Sequence, residues 1–342
     1  MPLIKTPTVL ILGAGASYPY GYPLGSGLVD KVIGECGSVQ EPEFQTWLKH
    51  ANCPVEHIVR IRNAMETADP YSVDAFLESQ KLEIQQAGKV AIALTLLRFE
   101  EDGGNGSERL NPRRYSEKFH RNANPQEVAR AEDHWYQYLA HFLSSGVSKE
   151  HFADHKLSIV TFNYDRSLEE YLYRVLGARY DCDAHDLVKT IPVVHLHGSL
   201  GPLEWESPGG RQYGGPFDMK AVLPVAAGSL NIVSDEIPED DKAFTKAREK
   251  LSEAKYVGFL GFGYHEASLR RLQFRDLTRT AVRFGTRKGL RAAEWATAER
   301  LLGQPKVNVK CESNESVDLA EVGCLGFLRR SGLLHLAAML HH

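Results

Sequence analysis

An amide, two imidazoles and several closely spaced glycines stand at the ends of apolar runs in this chain. Thr161-Phe162-Asn163-Tyr164-Asp165 closes one run, His195-Leu196-His197-Gly198 another and Gly261-Phe262-Gly263-Tyr264 a third. At the front of the chain, Thr8-Val9-Leu10-Ile11-Leu12 enters Gly13-Ala14-Gly15-Ala16-Ser17, and Gly21-Tyr22-Pro23-Leu24-Gly25 follows. An imidazole takes and gives protons near neutral pH. An amide offers a donor and an acceptor together. Small residues after a buried strand let backbone approach a ligand closely, and N–H groups at a following helix start favour phosphate. The pattern is that of a nucleotide site; the competing reading is a tight strand-to-helix turn with no ligand.

The ordinary dehydrogenase fingerprint does not fit. Gly13-x-Gly15 supplies its first two glycines, but Tyr18 stands where the third belongs, and no second strand ends near Asp30. Asp165 precedes a helix and is read equally as its cap or as a cofactor ligand. His195 and His197 alternate, which puts both on one face of a strand; His197 is the candidate base and His195 its structural neighbour. No third ligand accompanies the pair, so no metal site is expected. Asp181, Cys182, Asp183, His185 and Asp186 read as a solvated polar connection.

The elements that position these residues follow from hydrophobic pattern. Thr8–Leu12, Leu157–Phe162, Val193–His197, Ala221–Leu223 and Tyr256–Leu260 are short apolar runs, as in parallel strands buried on both faces. Amphipathic stripes lie between them, at Leu168, Leu172, Val175 and Leu176 and at Ala243, Phe244, Ala247 and Leu251. The predicted fold is α/β, a doubly wound, mostly parallel Rossmann-like sheet with an inserted helical module. The sheet domain is assigned to 1–35 and 157–342 and the module to 36–156. Within the module one helix is expected from Ser72 to about Phe99. A second starts at Asn124, with Pro125 and Glu127 completing its cap. A mobile polar loop is expected between them, over Glu101–Glu108. Arg270, Arg271, Arg275, Arg279, Arg283, Arg287, Lys288 and Arg291 would form a curved basic stripe on a helix, suited to a partner subunit, nucleic acid or phosphates, or simply solvated.

Composition narrows the classes. With 342 residues, 43% hydrophobic and 25% charged, the chain reads as a soluble globular protein. A net charge of −4 argues against polyanion binding over the whole surface. No apolar run spans a bilayer, and the N-terminus lacks a signal-peptide core. Five scattered cysteines without C-x-x-C spacing predict neither disulfides nor a cysteine zinc site, and fit a reducing cytoplasm.

Taken in order, these blocks resemble the sirtuin-like NAD-binding family. Gly13–Ser17 is similar to its first cofactor motif, and Gly21-Tyr22-Pro23 falls at the spacing of its Gly-Ile-Pro segment. Asn163-Tyr164-Asp165 resembles its Asn-x-Asp motif and His197-Gly198 its catalytic His-Gly. Gly261 and Gly263, with Tyr264 beside them, resemble the later segment that receives the adenosine end. The match covers about half of the chain in scattered blocks. Two departures stand out: the paired C-x-x-C zinc module of the deacylases is absent, and Leu24-Gly25-Ser26 replaces Asp-Phe-Arg after the proline. The resemblance therefore implies the bacterial branch that hydrolyses NAD+ in antiphage defence. It implies NAD+ as substrate and no zinc. Asn163 and His197 would be catalytic, and the diphosphate would rest on the N–H groups of Ala14–Ser17. Gly13, Pro23, Asp165, Gly261, Gly263 and Tyr264 would complete the cofactor site. A resting block through homo-oligomer assembly or a partner, such as a HerA-type ATPase, is further implied. A protein deacylase or ADP-ribosyltransferase, and a non-catalytic nucleotide-binding scaffold, remain as alternatives.

Overall fold

In the computed structural model the described residues are 3–102, 105–119, 131–232, 241–286, 288–290 and 322–339, with single residues at 296, 298 and 300. Five parallel strands form one sheet: β1 Thr8–Leu12, β2 Leu157–Thr161, β3 Val193–His195, β4 Tyr256–Leu260 and β5 Val282–Gly285. Their order is β3-β2-β1-β4-β5. The order reverses between β1 and β4, the place where doubly wound sheets open a crevice beyond the strands' carboxyl ends. Register brings those ends level. Leu12 pairs with Thr161 on one side and with Leu260 on the other, and Thr161 pairs with His195. The glycine loop, Asn163, His197 and Gly261 therefore leave the sheet at one rim.

Both faces of the sheet are covered, which is why its inner strands β1, β2 and β4 are buried along their whole length and mostly apolar rather than alternating. Val9, Ile11, Val160 and Val257 pack with Phe244, Ala247 and Leu251 on one face. Leu10, Leu12, Ile159 and Leu260 belong to a larger core on the other, which runs without interruption into the helical segment between β1 and β2. The helices, in chain order, are α1 Ala14–Ser17, α2 Gly25–Cys36, α3 Pro42–His50, α4 Val55–Ala68, α5 Val73–Glu78, α6 Leu82–Glu101, α7 Pro112–Phe119 and α8 Trp135–Ser144. After β2 come α9 Ser167–Tyr180, α10 His185–Lys189, α11 Met219–Ser229, α12 Lys242–Glu253, α13 Glu266–Arg271, α14 Phe274–Leu277, α15 Cys324–Ser331 and α16 Leu333–Ala338.

Several expectations are corrected. Ala221–Leu223 is helical, not a strand: Asp218 caps α11 by accepting from the Lys220 N–H, and Met219, Leu223, Ala226 and Ala227 bury one helical stripe. A three-residue apolar run fits either period, and here the cap decides. The helix expected from Ser72 to Phe99 is two. Ser72 does cap the first, accepting from the Ala75 N–H, but α5 stops at Ser79. Leu77 then lies in the notch left by Gly88 of α6, where a Cβ would meet it at 2.4 Å. Of the expected mobile loop, Gly103 and Gly104 lie outside the described residues, and Gly106–Glu108 enter a turn of 3-10 helix over Gly106–Leu110, fastened by a hydrogen bond from Ser107 Oγ to the Tyr213 carbonyl. The basic stretch is not one helix. Gln273, in the left-handed region, separates α13 from α14, and Arg283 lies on β5. Asn124, Arg287 and Arg291 fall outside the described residues, as does Cys311.

Candidate active site

The glycine loop is built by contact with the loop after β4. Gly261 has φ +57°, and a Cβ there would lie 2.2 Å from the Ala16 nitrogen and 2.3 Å from the Gly15 carbonyl carbon. A Cβ on Gly13 would meet the Gly261 oxygen at 2.7 Å. The two loops thus pack backbone on backbone, which only glycine allows. Gly15 N–H donates to the Gly261 carbonyl at 2.9 Å and Ala16 N–H to the Gly13 carbonyl at 2.8 Å. Two of the four N–H groups expected to hold a diphosphate are therefore committed to the protein itself.

Asn163 ties the end of β2 to the same loop. Its Nδ2 donates to the Gly13 carbonyl and to Ser17 Oγ, each at 2.9 Å. Because a carbonyl can only accept, the amide orientation is determined, and Oδ1 accepts no hydrogen bond among the described residues. Ser17 is buried and Pro23 half-buried. Asp165 is not the N-cap of α9, a place taken by Arg166; one residue earlier, its Oδ1 accepts from the Ser167 N–H at 3.1 Å and from the Ser167 hydroxyl. Burial raises its carboxyl above the usual range, against the opposing pull of the Ser167 and Ser17 hydroxyls.

The two histidines do not share a strand face. β3 ends at His195, and Leu196-His197 turns away. The His195 ring touches two acceptors, the Asn163 carbonyl at 2.8 Å from Nδ1 and Glu169 Oε1 at 2.7 Å from Nε2. Only a ring carrying both N–H groups satisfies that pair. His195 is thus the post that holds the Asn163 backbone. His197 sits edge-on to Phe162, ring centres 5.6 Å apart at 78°, and against Tyr164 at 5.9 Å. Its Nδ1 lies 3.6 Å from Asp74 Oδ1, an ion-pair distance that is long for a hydrogen bond. That nitrogen is buried and has no hydrogen-bond partner among the described residues.

Tyr264 does not face an open rim. It is buried, with φ +52°, and its hydroxyl donates to the Thr286 carbonyl at 2.9 Å. It braces the Gly261 loop together with Thr286 Oγ1, which accepts from the Gly261 N–H at 3.1 Å. Gly263 lies against the His265 ring, which a Cβ would meet at 3.0 Å.

Several residues that sequence reading did not single out support this rim. Trp135 Nε1 donates to the Ala16 carbonyl at 2.8 Å, pinning the start of α8 on the glycine loop. Its neighbour Tyr136 stacks on Tyr20, ring centres 3.6 Å apart. Glu100 of α6 forms a buried two-pronged pair with Arg211 and also accepts from the Tyr22 hydroxyl and the Gly214 N–H. A signal for Glu100 was present: it falls four residues beyond Leu96, on the buried stripe of α6, where an acid requires a cation. No spacing links Asp74 to His197.

Beneath His195, Arg166 donates to Glu169, Glu206 and the Gly201 carbonyl. Burial alone would raise the Glu169 carboxyl; the Arg166 guanidinium and His195 outweigh it and hold it at about 2. The unfolded chain binds this proton near the ordinary value of 4.5. The stabilisation is therefore complete above that pH and drains away as the pH falls toward 2, in all ~3 kcal/mol. Urea unfolding between pH 6 and pH 3 should show a smaller loss of stability in Glu169→Gln than in the wild type. An identical pH dependence would remove Glu169 from this role.

The Asp181–Asp186 segment is a helix junction: Asp181 closes α9 in the left-handed region, and Asp183 accepts from the His185 N–H at 3.0 Å. Among the described residues no three His, Cys, Asp or Glu side chains converge as a metal ion requires. Burial raises the Cys36 and Cys53 thiols to about 12, so neither is a nucleophile at neutral pH. Two surface hollows, one around Glu56, Arg60 and Phe76 and one around Lys31, Glu35 and Arg98, touch none of the rim residues. Among the described residues no helix is long and apolar enough to cross a membrane. Comparison of the chain with protein-family models, curated proteins and solved structures returns no match.

Proposed function

We propose that this protein is an NAD+ glycohydrolase of sirtuin-like type. The observation that carries the reading is the convergence of Asn163, His197 and the interlocked Gly13–Ser17 and Gly261 loops at one rim of a parallel sheet, beside its point of strand reversal. In the reaction the C1′–N bond of the nicotinamide ribose breaks, the bonding pair leaves with nicotinamide, and C1′ passes through an oxocarbenium-like state. Water adds to C1′ and loses a proton, giving ADP-ribose. Asn163 Oδ1, the one amide atom not bound to the loop, is the acceptor for a ribose hydroxyl or the attacking water. His197 takes the proton.

The diphosphate site differs from the simplest version of the reading, because Gly15 and Ala16 N–H are already bonded. The loop's contribution is to bring Asn163 to the rim by holding its amide. Asp165 serves it indirectly, by fastening Ser167, the first residue of α9.

The same reading makes the chain a cytoplasmic antiphage effector, held silent until a homo-oligomer or an ATPase partner assembles, since free hydrolysis of NAD+ would kill its own cell. The discriminating experiment is NAD+ turnover by purified protein, alone and with the product of its neighbouring gene, with and without an acylated peptide. Turnover without any acceptor supports the hydrolase. Strict dependence on the peptide moves the assignment to a deacylase or transferase. Tight binding without turnover leaves a nucleotide-binding scaffold.

A further inference from the structure

We propose that Asp74, brought to the rim by the helical segment between β1 and β2, is a positioning residue for His197: it selects the ring form protonated at Nδ1 and leaves Nε2 to accept the proton. The inference rests on the hydrolase reading for its catalytic consequence, but not for its geometry.

Three observations carry it. First, His197 Nδ1 is buried without a hydrogen bond among the described residues, and the Asp74 Oδ1 lies 3.6 Å from it. A buried nitrogen facing a carboxylate is far better placed with its proton on than with its lone pair toward the charge. The gap is of the size that closes when a substrate tightens a site.

Second, Asp74 is held where it is. The Tyr164 hydroxyl donates to the same Oδ1, and Tyr164 also packs on the His197 ring. Burial works to raise the Asp74 carboxyl, but His197 and Tyr164 together bring it below the usual range, so it faces the ring as an anion.

Third, α5 is fastened at both ends, although it is only six residues long. Ser72 caps its start, Leu77 fills the Gly88 notch, and Glu78 pairs with Arg271 of α13. The helix runs from the ends of β2 and β3 to the element after β4, so Asp74 sits on a clamped strut and not on a free loop. A carboxylate that fixes the tautomer of a catalytic imidazole typically matters by orders of magnitude in rate while touching no substrate.

The test uses the full chain and two readouts. In histidine-labelled protein without nucleotide, long-range proton–nitrogen spectra report which His197 nitrogen carries the proton. The wild type is expected in the Nδ1–H form. Asp74→Ala and the volume-keeping Asp74→Leu are expected to revert to the Nε2–H form, and Asp74→Glu to retain Nδ1–H. In NAD+ hydrolysis, Asp74→Ala is expected to lower kcat about 100-fold with KM changed less than about 2-fold, and Asp74→Glu to recover at least a tenth of the loss. An unchanged tautomer in both removal variants overturns the proposal, as does a fall that lies wholly in KM. If the wild type itself leaves NAD+ intact, the hydrolase reading fails on its own, and the spectra still decide the role of Asp74.

Discussion

Gly261→Ala is expected to cost about 2–5 kcal/mol of unfolding free energy and to abolish nucleotide binding. Two penalties add. An L-residue at φ +57° pays about 1–2 kcal/mol for the left-handed conformation. The new methyl also lies 2.2 Å from the Ala16 nitrogen, with the Gly15 carbonyl carbon at 2.3 Å. Those atoms are backbone in a loop held by β1, by Asn163 and by Trp135, so they cannot swing aside as a side-chain tip would. Forcing a methyl into such a contact costs a further 1–3 kcal/mol, roughly. Gly209→Ala provides the control. It has φ +83° with nothing within 4 Å of the added methyl, so only the conformational penalty of about 1–2 kcal/mol applies. Urea unfolding of the two variants checks the difference; equal losses would show that the loop contact is not the constraint.

Asn163→Ala is expected to reduce NAD+ turnover at least about 1,000-fold, combining loss of the Oδ1 acceptor with release of the glycine loop. The structural part is separable. Removing Nδ2 leaves the Gly13 carbonyl and Ser17 Oγ each without a donor they now have at 2.9 Å, a loss of about 1–3 kcal/mol if water does not replace it. Asn163→Asp is the sharper variant: it keeps the shape and puts an acceptor opposite the Gly13 carbonyl. It should bind NAD+ more weakly than the wild type as well as turn it over slowly. Turnover within about 10-fold of wild type in both variants would show that Asn163 serves the fold alone.

The sheet was legible because its inner strands are apolar on both faces. Leu10 and Ile11 lie in different cores, yet both must be buried, so the run Thr8–Leu12 reads as a strand whichever way it faces. β5 was missed for the converse reason: Arg283 interrupts it, and its half-buried guanidinium finds the Thr278 carbonyl and the Phe274 ring. Ala221–Leu223 was misassigned because the cap at Asp218 outweighs a three-residue pattern. At the rim, the residue types were legible and their duties only in part. The glycines were read as room for a ligand; in the structure Gly13, Gly15 and Gly261 are room for one another. Tyr264 was placed on the cofactor but is buried beneath the loop. Asp74 and the Glu100–Arg211 pair join positions more than a hundred residues apart, and a tertiary contact of that kind leaves no periodicity to read.

Release of nicotinamide from NAD+ tests the central claim most directly. Purified wild-type protein, assembled alone or with its partner, should convert NAD+ to nicotinamide and ADP-ribose in equal amounts. His197→Ala should be at least about 100-fold slower while still folding and assembling as the wild type does. Equal release by wild type and variant, or no release by the wild type in every assembly, would contradict the account.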